Sequence, residues 1–293
     1  MTSSMSGGGS RSEMDDEQFD RWAELIESRT GMRLPPERKS FLVTSLGMRM
    51  REIGLSDYES YYDALHSGRA GTIEWSTLVD RLVVNETRFF RHRPSLELIR
   101  DRYLPGLEAP AGEPLRVQAW SVGCATGEEP YSLAILLHHS LRARADSAYF
   151  GVIGTDISAS ALAVARRGDY PDNRTRELPA DLRDAYLEPA GPGRWEVERS
   201  LRQRVCFARM NVLGEQYAPA GLMDIVYCQN LLIYFDRPRR IEIVDRLAAR
   251  LRPGGLLVLA PGEIVGWTPG GLERMGGDEV LAFRRTAPGS GER

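Results

Sequence analysis

The sequence predicts an α/β protein in which an all-α N-terminal domain precedes a doubly wound, Rossmann-like sheet carrying a small β-subdomain insertion. Three observations predict it. Helical periodicity without lasting strand alternation fills residues 15–105. From Leu115 onward, short apolar strands alternate with helices, as in a parallel sheet. Residues 117–131, VQAWSVGCATGEEPY, run an apolar strand into a glycine-bracketed turn and an acidic helix start. The expected divisions are a disordered tail at 1–14, helices at 15–105, a linker at 106–114 and the sheet domain at 115–287, with the insertion at about 172–208.

In the helical part, Phe19, Trp22, Leu25 and Ile26 recur at helical spacing. A second such face runs through Phe41, Leu42, Leu46, Met50 and Ile53 after Pro35-Pro36 starts the segment. The sheet part opens with a strand at 115–122, a helix to about 143, a strand at 150–155 and a helix at 158–167 capped at Ser158 or Ser160. Pro171 to about Ala208 breaks the rhythm with Gly191-Pro192-Gly193 and alternating residues 194–197, the mark of a β-rich insertion. Strand Asp224–Cys228 follows, then a helix from the cap Asp236 to Leu251, stopped by Pro253-Gly254-Gly255. Strands at 256–260 and 280–284 end the domain.

The turn limits the ligand. Gly123 and Gly127 form G-x-x-x-G, and Ala125 stands where a dinucleotide fingerprint would carry its middle glycine. Glu128 and Glu129 put negative charge at the helix end that would otherwise attract phosphate. A nucleoside bearing cationic groups, such as the sulfonium and ammonium of S-adenosylmethionine, suits such a turn, with the ligand approaching the bare backbone at Gly123. The two glutamates would equally stabilise a plain βα turn. At the tip of the next strand, Asp156 is placed to accept hydrogen bonds from ribose hydroxyls or to cap the following helix.

Size and composition set outer bounds. A chain of 293 residues has room for about two domains. It is 42 % hydrophobic, with no apolar run near the roughly 20 residues that cross a bilayer, so no membrane insertion is expected. The opening residues are rich in Ser, Gly and Met and do not form a signal peptide pattern. Cys124, Cys206 and Cys228 are odd in number and far apart, which suggests neither a disulfide framework nor a metal site and points to the cytoplasm. Net charge is −3 and Lys39 is the only lysine, so the arginines do not form a nucleic-acid footprint.

Before the expected linker stands Asn85-Glu86-Thr87-Arg88-Phe89-Phe90-Arg91. If helical, it puts Asn85, Thr87 and Arg91 near one face beside two aromatics, a plausible cleft wall. This NETRFFR, followed in order by GCATGEEPYS, GTDIS, DIVYCQNLLIYFD and LRPGGLL, resembles the CheR-type chemotaxis receptor methyltransferases over nearly the whole chain after the tail. The resemblance includes forms without added repeat domains, some serving type IV pilus sensory systems. It implies a class I S-adenosylmethionine methyltransferase sheet with a small β-subdomain and a helical N-terminal domain. It also implies methylation of glutamate side chains on the cytoplasmic signalling helices of methyl-accepting receptors, with S-adenosylhomocysteine as product. Carried over by position, the cofactor residues would be Asn85, Thr87, Arg91, Glu128 or Glu129, Asp156, Asn211, Val212, Asn230 and Leu231. Two departures stand out: Gln229 where the family usually has Arg, and Pro261-Gly262-Glu263 where it commonly has His-Ser-Glu or similar. Both leave open a non-catalytic module that binds the cofactor and acts by docking.

A glutamate carboxylate, with an ordinary pKa of about 4.3, is already an anionic nucleophile at neutral pH, so the chemistry calls for alignment more than proton transfer. Arg91 is the candidate for steering the substrate carboxylate and Tyr234 for orienting it. Each has an ordinary alternative, Arg91 as the partner of Glu86 or Glu128 and Tyr234 as a core tyrosine. For docking, Arg38, Ser45 and Arg49 share a helical face flanked by Lys39 and Arg51, a surface suited to acidic receptor helices.

Overall fold

A computed structural model describes residues 14–142, 148–214, 219, 221–267 and 270–286. Residues 1–13 of the expected tail, and residues 143–147, 215–218, 220, 268–269 and 287 of the expected sheet domain, lie outside the described residues. Two compact units divide between Val84 and Asn85.

The first unit holds α1 (Asp16–Thr30), α2 (Lys39–Ile53), α3 (Tyr58–Ala64) and α4 (Gly68–Leu82). A capping box starts α1: Asp15 Oδ1 accepts from Gln18 N at 2.7 Å and Gln18 Oε1 accepts from Asp15 N at 3.2 Å. The periodic residues Phe19, Trp22, Leu25 and Ile26 are buried with Leu42, Leu46, Met50 and Tyr61. The expected polar face of α2 is partly an inner face, because Ser45 is buried among these residues and Arg38 only precedes the helix as its N-terminal flank.

The second unit opens with α5 (Arg93–Leu98), continued by a π-helical turn at Ile99–Tyr103. Then follow β1 (Leu115–Val122), α6 (Glu128–Leu141), β2 (Ala148–Asp156), α7 (Ala159–Arg167), β3 (Asp169–Pro171), α8 (Asp172–Thr175) and α9 (Ala180–Tyr186). The chain continues through β4 (Leu187–Pro189), β5 (Arg194–Val197), α10 (Arg199–Arg202), β6 (Val205–Arg209), β7 (Met223–Cys228), α11 (Arg237–Ala249), β8 (Leu251–Leu259), β9 (Leu272–Met275) and β10 (Leu281–Arg285).

The main sheet has the order β6-β2-β1-β7-β8-β10-β9. The chain builds outward from β1 to one edge, then returns to β7 and builds to the other. The strand order therefore reverses between β1 and β7, and ligands bind beyond the carboxyl ends of strands at such a point. β10 runs antiparallel to β8 and β9, so the sheet is mixed where a parallel one was expected. A hairpin between β9 and β10 reverses the chain at that edge, and β9 had no apolar alternation to announce it.

Three other expectations shift. The second unit begins at Asn85, well before 106, because Phe89, Leu96, Ile99, Tyr103 and Leu104 bury themselves in the sheet's own core. Tyr103 also donates its hydroxyl proton to the carbonyl of Asp224 on β7 at 2.7 Å. The insertion is a small sheet, β3-β5-β4, that ends before β6, since β6 pairs parallel with β2 in the main sheet. Helix α11 stops at Ala249, and Pro253-Gly254-Gly255 instead form an irregularity within β8, where Met223 pairs with Leu251 but Ile225 pairs with Leu256. Among the described residues no helix is long and apolar enough to cross a membrane.

Candidate active site

Beyond β1 the backbone turns through Gly123 (φ 72°), Ala125 (φ 46°) and Gly127 (φ 96°) into α6. The first amides of this turn are already occupied. Gly123 N and Cys124 N donate to Thr155 O at 2.8 and 2.9 Å, and Ala125 N donates to Asp156 Oδ2 at 2.8 Å. These three amides are not open to a phosphate, in line with the acidic character of the turn. The two glycines also serve close packing. A Cβ on Gly127 would lie 2.6 Å from Ala165 Cβ and 2.9 Å from the Tyr170 hydroxyl, and one on Gly123 would lie 3.1 Å from Leu231 Cδ1. These glycines let α7, the β-subdomain and the loop after β7 pack closely.

Asp156 holds two loops together. Its second carboxylate oxygen accepts from Ser158 N at 2.8 Å, while Ser158, and not Asp156, caps α7 by accepting from Ala161 N at 3.1 Å. Asn211 and Val212 follow β6 beside it, where Met210 N donates to Asp156 O at 2.9 Å.

The two glutamates of the turn have different surroundings. Glu128 is buried and accepts from the Thr126 hydroxyl at 2.7 Å, with Arg174 Nη1 4.0 Å away, and burial pushes its pKa up to about 7. Glu129 accepts from the Ser121 hydroxyl at 2.6 Å. Burial pushes it up to about 8, against the pull of the Ser121 hydrogen bond and the positive charge of Arg91.

Asn85–Arg91 is not a helix, so Asn85, Thr87 and Arg91 share no helical face. The segment is an irregular strap fastened from outside. Phe90 takes a left-handed backbone (φ 54°), costly for a bulky residue, and its N donates to the Ser132 hydroxyl at 3.0 Å. That hydroxyl donates in turn to Glu128 O at 2.6 Å. Phe89 N donates to Arg174 O at 3.1 Å, Arg174 returns a bond to Thr87 O, and the Phe89 ring meets Tyr170 edge-on at 5.1 Å. Arg91 Nη1 donates to the backbone carbonyl of Glu86 at 2.7 Å. Neither Ser132 nor Arg174 has an expected role in the sequence. Ser132 stands in the GCATGEEPYS run, four residues after Glu128, which is the signal that could have found it.

After β7 the chain passes through Asn230 (φ 58°) into a short 3-10 turn, Leu232–Tyr234. Glu263 supports this loop from below, accepting from Leu232 N at 2.9 Å and Ala260 N at 3.3 Å, and burial raises its pKa to about 7. The departure at 261–263 thus retains a structural carboxylate.

Of the expected residues, Thr87, Arg91, Glu129 and Asn230 line one pocket, together with Ser132 and Gln229. Gln229 is buried, and its Nε2 has no hydrogen-bond partner among the described residues. Gly123, Glu128, Asp156, Asn211, Val212 and Leu231 lie at the strand ends and turns around this pocket without lining it, half-buried Asn85 opens the strap, and half-buried Tyr234 closes the 3-10 turn. The docking candidates belong to the first unit and are partly engaged there. Arg49 makes two bonds to Glu74, at 2.8 and 2.6 Å, and a third to Glu52 at 3.0 Å. Lys39 pairs with Asp16 at 2.7 Å, Arg51 donates to Gly47 O at 3.0 Å, and Arg38 stacks 4.6 Å over the Phe41 ring.

Residues 85–280 match the CheR methyltransferase SAM binding domain, and residues 17–83 match the CheR methyltransferase all-alpha domain. The chain belongs to the CheR methyltransferase family. Chemotaxis protein methyltransferase 1 of Pseudomonas aeruginosa is 32 % identical, over 86 % of this chain and 91 % of its own length. The chemotaxis protein methyltransferases of Escherichia coli and Salmonella typhimurium are each 32 % identical, over 83 % and 88 % of this chain and 83 % and 90 % of their own lengths. As a CheR family member the chain is a methyltransferase that uses S-adenosylmethionine and acts in chemotaxis signalling. The chemistry of the pocket fits that cofactor. In the pocket the Glu129 carboxyl group suits a sulfonium or an ammonium, and the orphaned Gln229 Nε2 offers a buried donor to an acceptor on the ligand.

Proposed function

We propose that this methyltransferase acts in the cytoplasm and esterifies glutamate side chains on the signalling helices of methyl-accepting chemotaxis-type receptors. Bound S-adenosylmethionine would supply an electrophilic methyl group. The chain's own residues then hold the acceptor carboxylate in line with it, and such positioning is worth roughly 7 to 11 kcal/mol of a barrier. One observation carries this reading. Arg91 lines the inner pocket with Glu129, Gln229 and Asn230, and it also lines an outer cleft with Arg93 and Arg176. A cation at the junction of the inner pocket and an open cleft is where an incoming carboxylate would be caught.

In this reading Asn85, Thr87, Gly123, Glu128, Glu129, Asp156, Asn211, Val212, Asn230 and Leu231 form the cofactor site, Arg91 steers the substrate and Tyr234 orients it. For docking on the first unit, Arg38 and Arg51 are the candidates with no acid partner among the described residues. The test is methyl transfer from labelled S-adenosylmethionine to membranes bearing receptors from the same organism. Label released as methanol by mild base establishes a carboxyl ester. Base-stable label, or none on a receptor band, would overturn the assignment.

A further inference from the structure

One arginine of the β-subdomain insertion reaches two parts of the candidate site at once. Arg174 stands in α8, the four-residue helix that follows β3. Its Nη1 donates to Thr87 O of the strap and lies 4.0 Å from Glu128 Oε1 at the head of α6. Its carbonyl accepts from Phe89 N at 3.1 Å, so this residue grips the strap through backbone and side chain alike. Neighbouring residues of the insertion add to the hold. Glu177 pairs with Arg88 at 2.7 Å. Tyr170 of β3 donates its hydroxyl proton to Thr126 O at 2.8 Å, and its ring meets that of Phe89 edge-on.

The strap needs such support. Residues 84–88 form neither helix nor strand, so no ladder of their own fixes their path. Phe90 is held at φ 54°, a state that costs on the order of 1–3 kcal/mol and persists only where the surroundings over-determine it. The sheet side supplies the bond from Phe90 N to Ser132 Oγ, and the insertion supplies the contacts of Arg174, Glu177 and Tyr170. Thr87 and Arg91, which flank the two phenylalanines, both line the inner pocket. Arg174 does not line it, so it acts there only through Thr87 and Glu128.

We propose that Arg174 is a positioning residue for methyl transfer: its Nη1 ties the strap to the head of α6 and so sets where Thr87 and Arg91 stand against the cofactor. The insertion is then part of the scaffold of the transfer site. Cofactor binding orders the insertion, and the order of the insertion strengthens cofactor binding, by the same coupling free energy. The effect on turnover rests on the function proposed above, whereas the linkage rests only on the use of S-adenosylmethionine.

The test uses the full chain with Arg174→Gln, Arg174→Lys and, as a control, Arg183→Gln, which alters a surface pair with Asp184 on the same insertion. On receptor membranes, Arg174→Gln should lower kcat about tenfold through lost alignment, with the receptor KM and the S-adenosylhomocysteine Kd changed by less than about threefold. Arg174→Lys keeps a cation that can stand between Thr87 O and Glu128, and should restore kcat to within about threefold of the unaltered enzyme. Arg183→Gln should match the unaltered enzyme within about twofold. Amide exchange supplies a readout without turnover. S-adenosylhomocysteine should slow exchange in residues 86–91 and 169–178 of the unaltered protein, and in residues 86–91 alone of Arg174→Gln. The proposal is overturned by an unchanged kcat in Arg174→Gln, by a loss in both Arg174 variants that tracks a lowered folded fraction, or by protection of 169–178 that survives Arg174→Gln. An unaltered enzyme that labels no receptor would instead remove the function proposed above, and the exchange comparison would still decide the linkage.

Discussion

Arg49 in α2 and Arg93 at the head of α5 both sit among charged residues in helical sequence, yet the structure uses them in opposite ways. Arg49 is consumed inside its own unit. Glu74 grips it with both oxygens and also accepts from the Tyr61 hydroxyl at 2.7 Å, and Glu52 adds a third bond. Arg93, like Arg176, has no such partner among the described residues and lines an open cleft. A run of positive letters therefore does not tell whether the charge is available to a partner. What decides it is whether an acid folds onto it from elsewhere in the chain.

The largest expected effect is at the junction residue. Arg91→Ala should lower kcat by about a hundredfold or more, because it removes the group that aligns the acceptor. The affinity for S-adenosylhomocysteine, read by calorimetry, should fall far less. Equal losses in both would make Arg91 a cofactor residue only. Next comes the internal clamp of α2. Glu74→Ala should destabilise the helical unit by about 2 kcal/mol, since it strands a half-buried guanidinium and a tyrosine hydroxyl. Arg49→Glu should lower the denaturation midpoint similarly. An unchanged midpoint with a raised substrate KM would return Arg49 to the docking surface and erase the contrast with Arg93.

The smallest effect is in pH. Glu128 and Glu263 are raised to about 7 and Glu129 to about 8, chiefly by burial, against an ordinary carboxylate value of 4.5. Between these values the folded protein holds more protons than the unfolded chain, so stability falls as pH rises from about 5 to 8. The Tm of the free protein should drop across that window. A cationic cofactor beside Glu129 favours its ionised form, so binding near pH 7 should release protons, measurable by calorimetry in buffers of different ionisation heat. A flat Tm, or proton uptake on binding, would contradict this account.

Much of the sheet was legible because local rules determine it. Strand, glycine turn and acidic helix start at 117–131 appear where expected, and Ser158 and Asp236 cap the helices they precede. The inner pocket was only half legible. Thr87, Arg91, Glu129 and Asn230 meet there as their motifs imply, but the strap that carries the first two is held in a non-helical path by Ser132, 42 residues away, and by Arg174. Such long-range bonds override the helical reading of a short segment and leave no periodic trace. The early start of the second unit was hidden for the same reason. Its first helices show ordinary helical periodicity, and only tertiary packing assigns them to the sheet. The cleft arginines were passed over because spacing alone does not bring Arg93 and Arg176 together.

The Ser132 hydroxyl accepts from Phe90 N and donates to Glu128 O with its single proton, and that small latch dictates where this polypeptide can be cut. Severed between Val84 and Asn85, the C-terminal piece keeps every residue that lines the inner pocket and the cleft. Severed at 106–114, where composition alone suggests the joint, it forfeits Thr87, Arg91 and Arg93 and leaves the latch with nothing to hold.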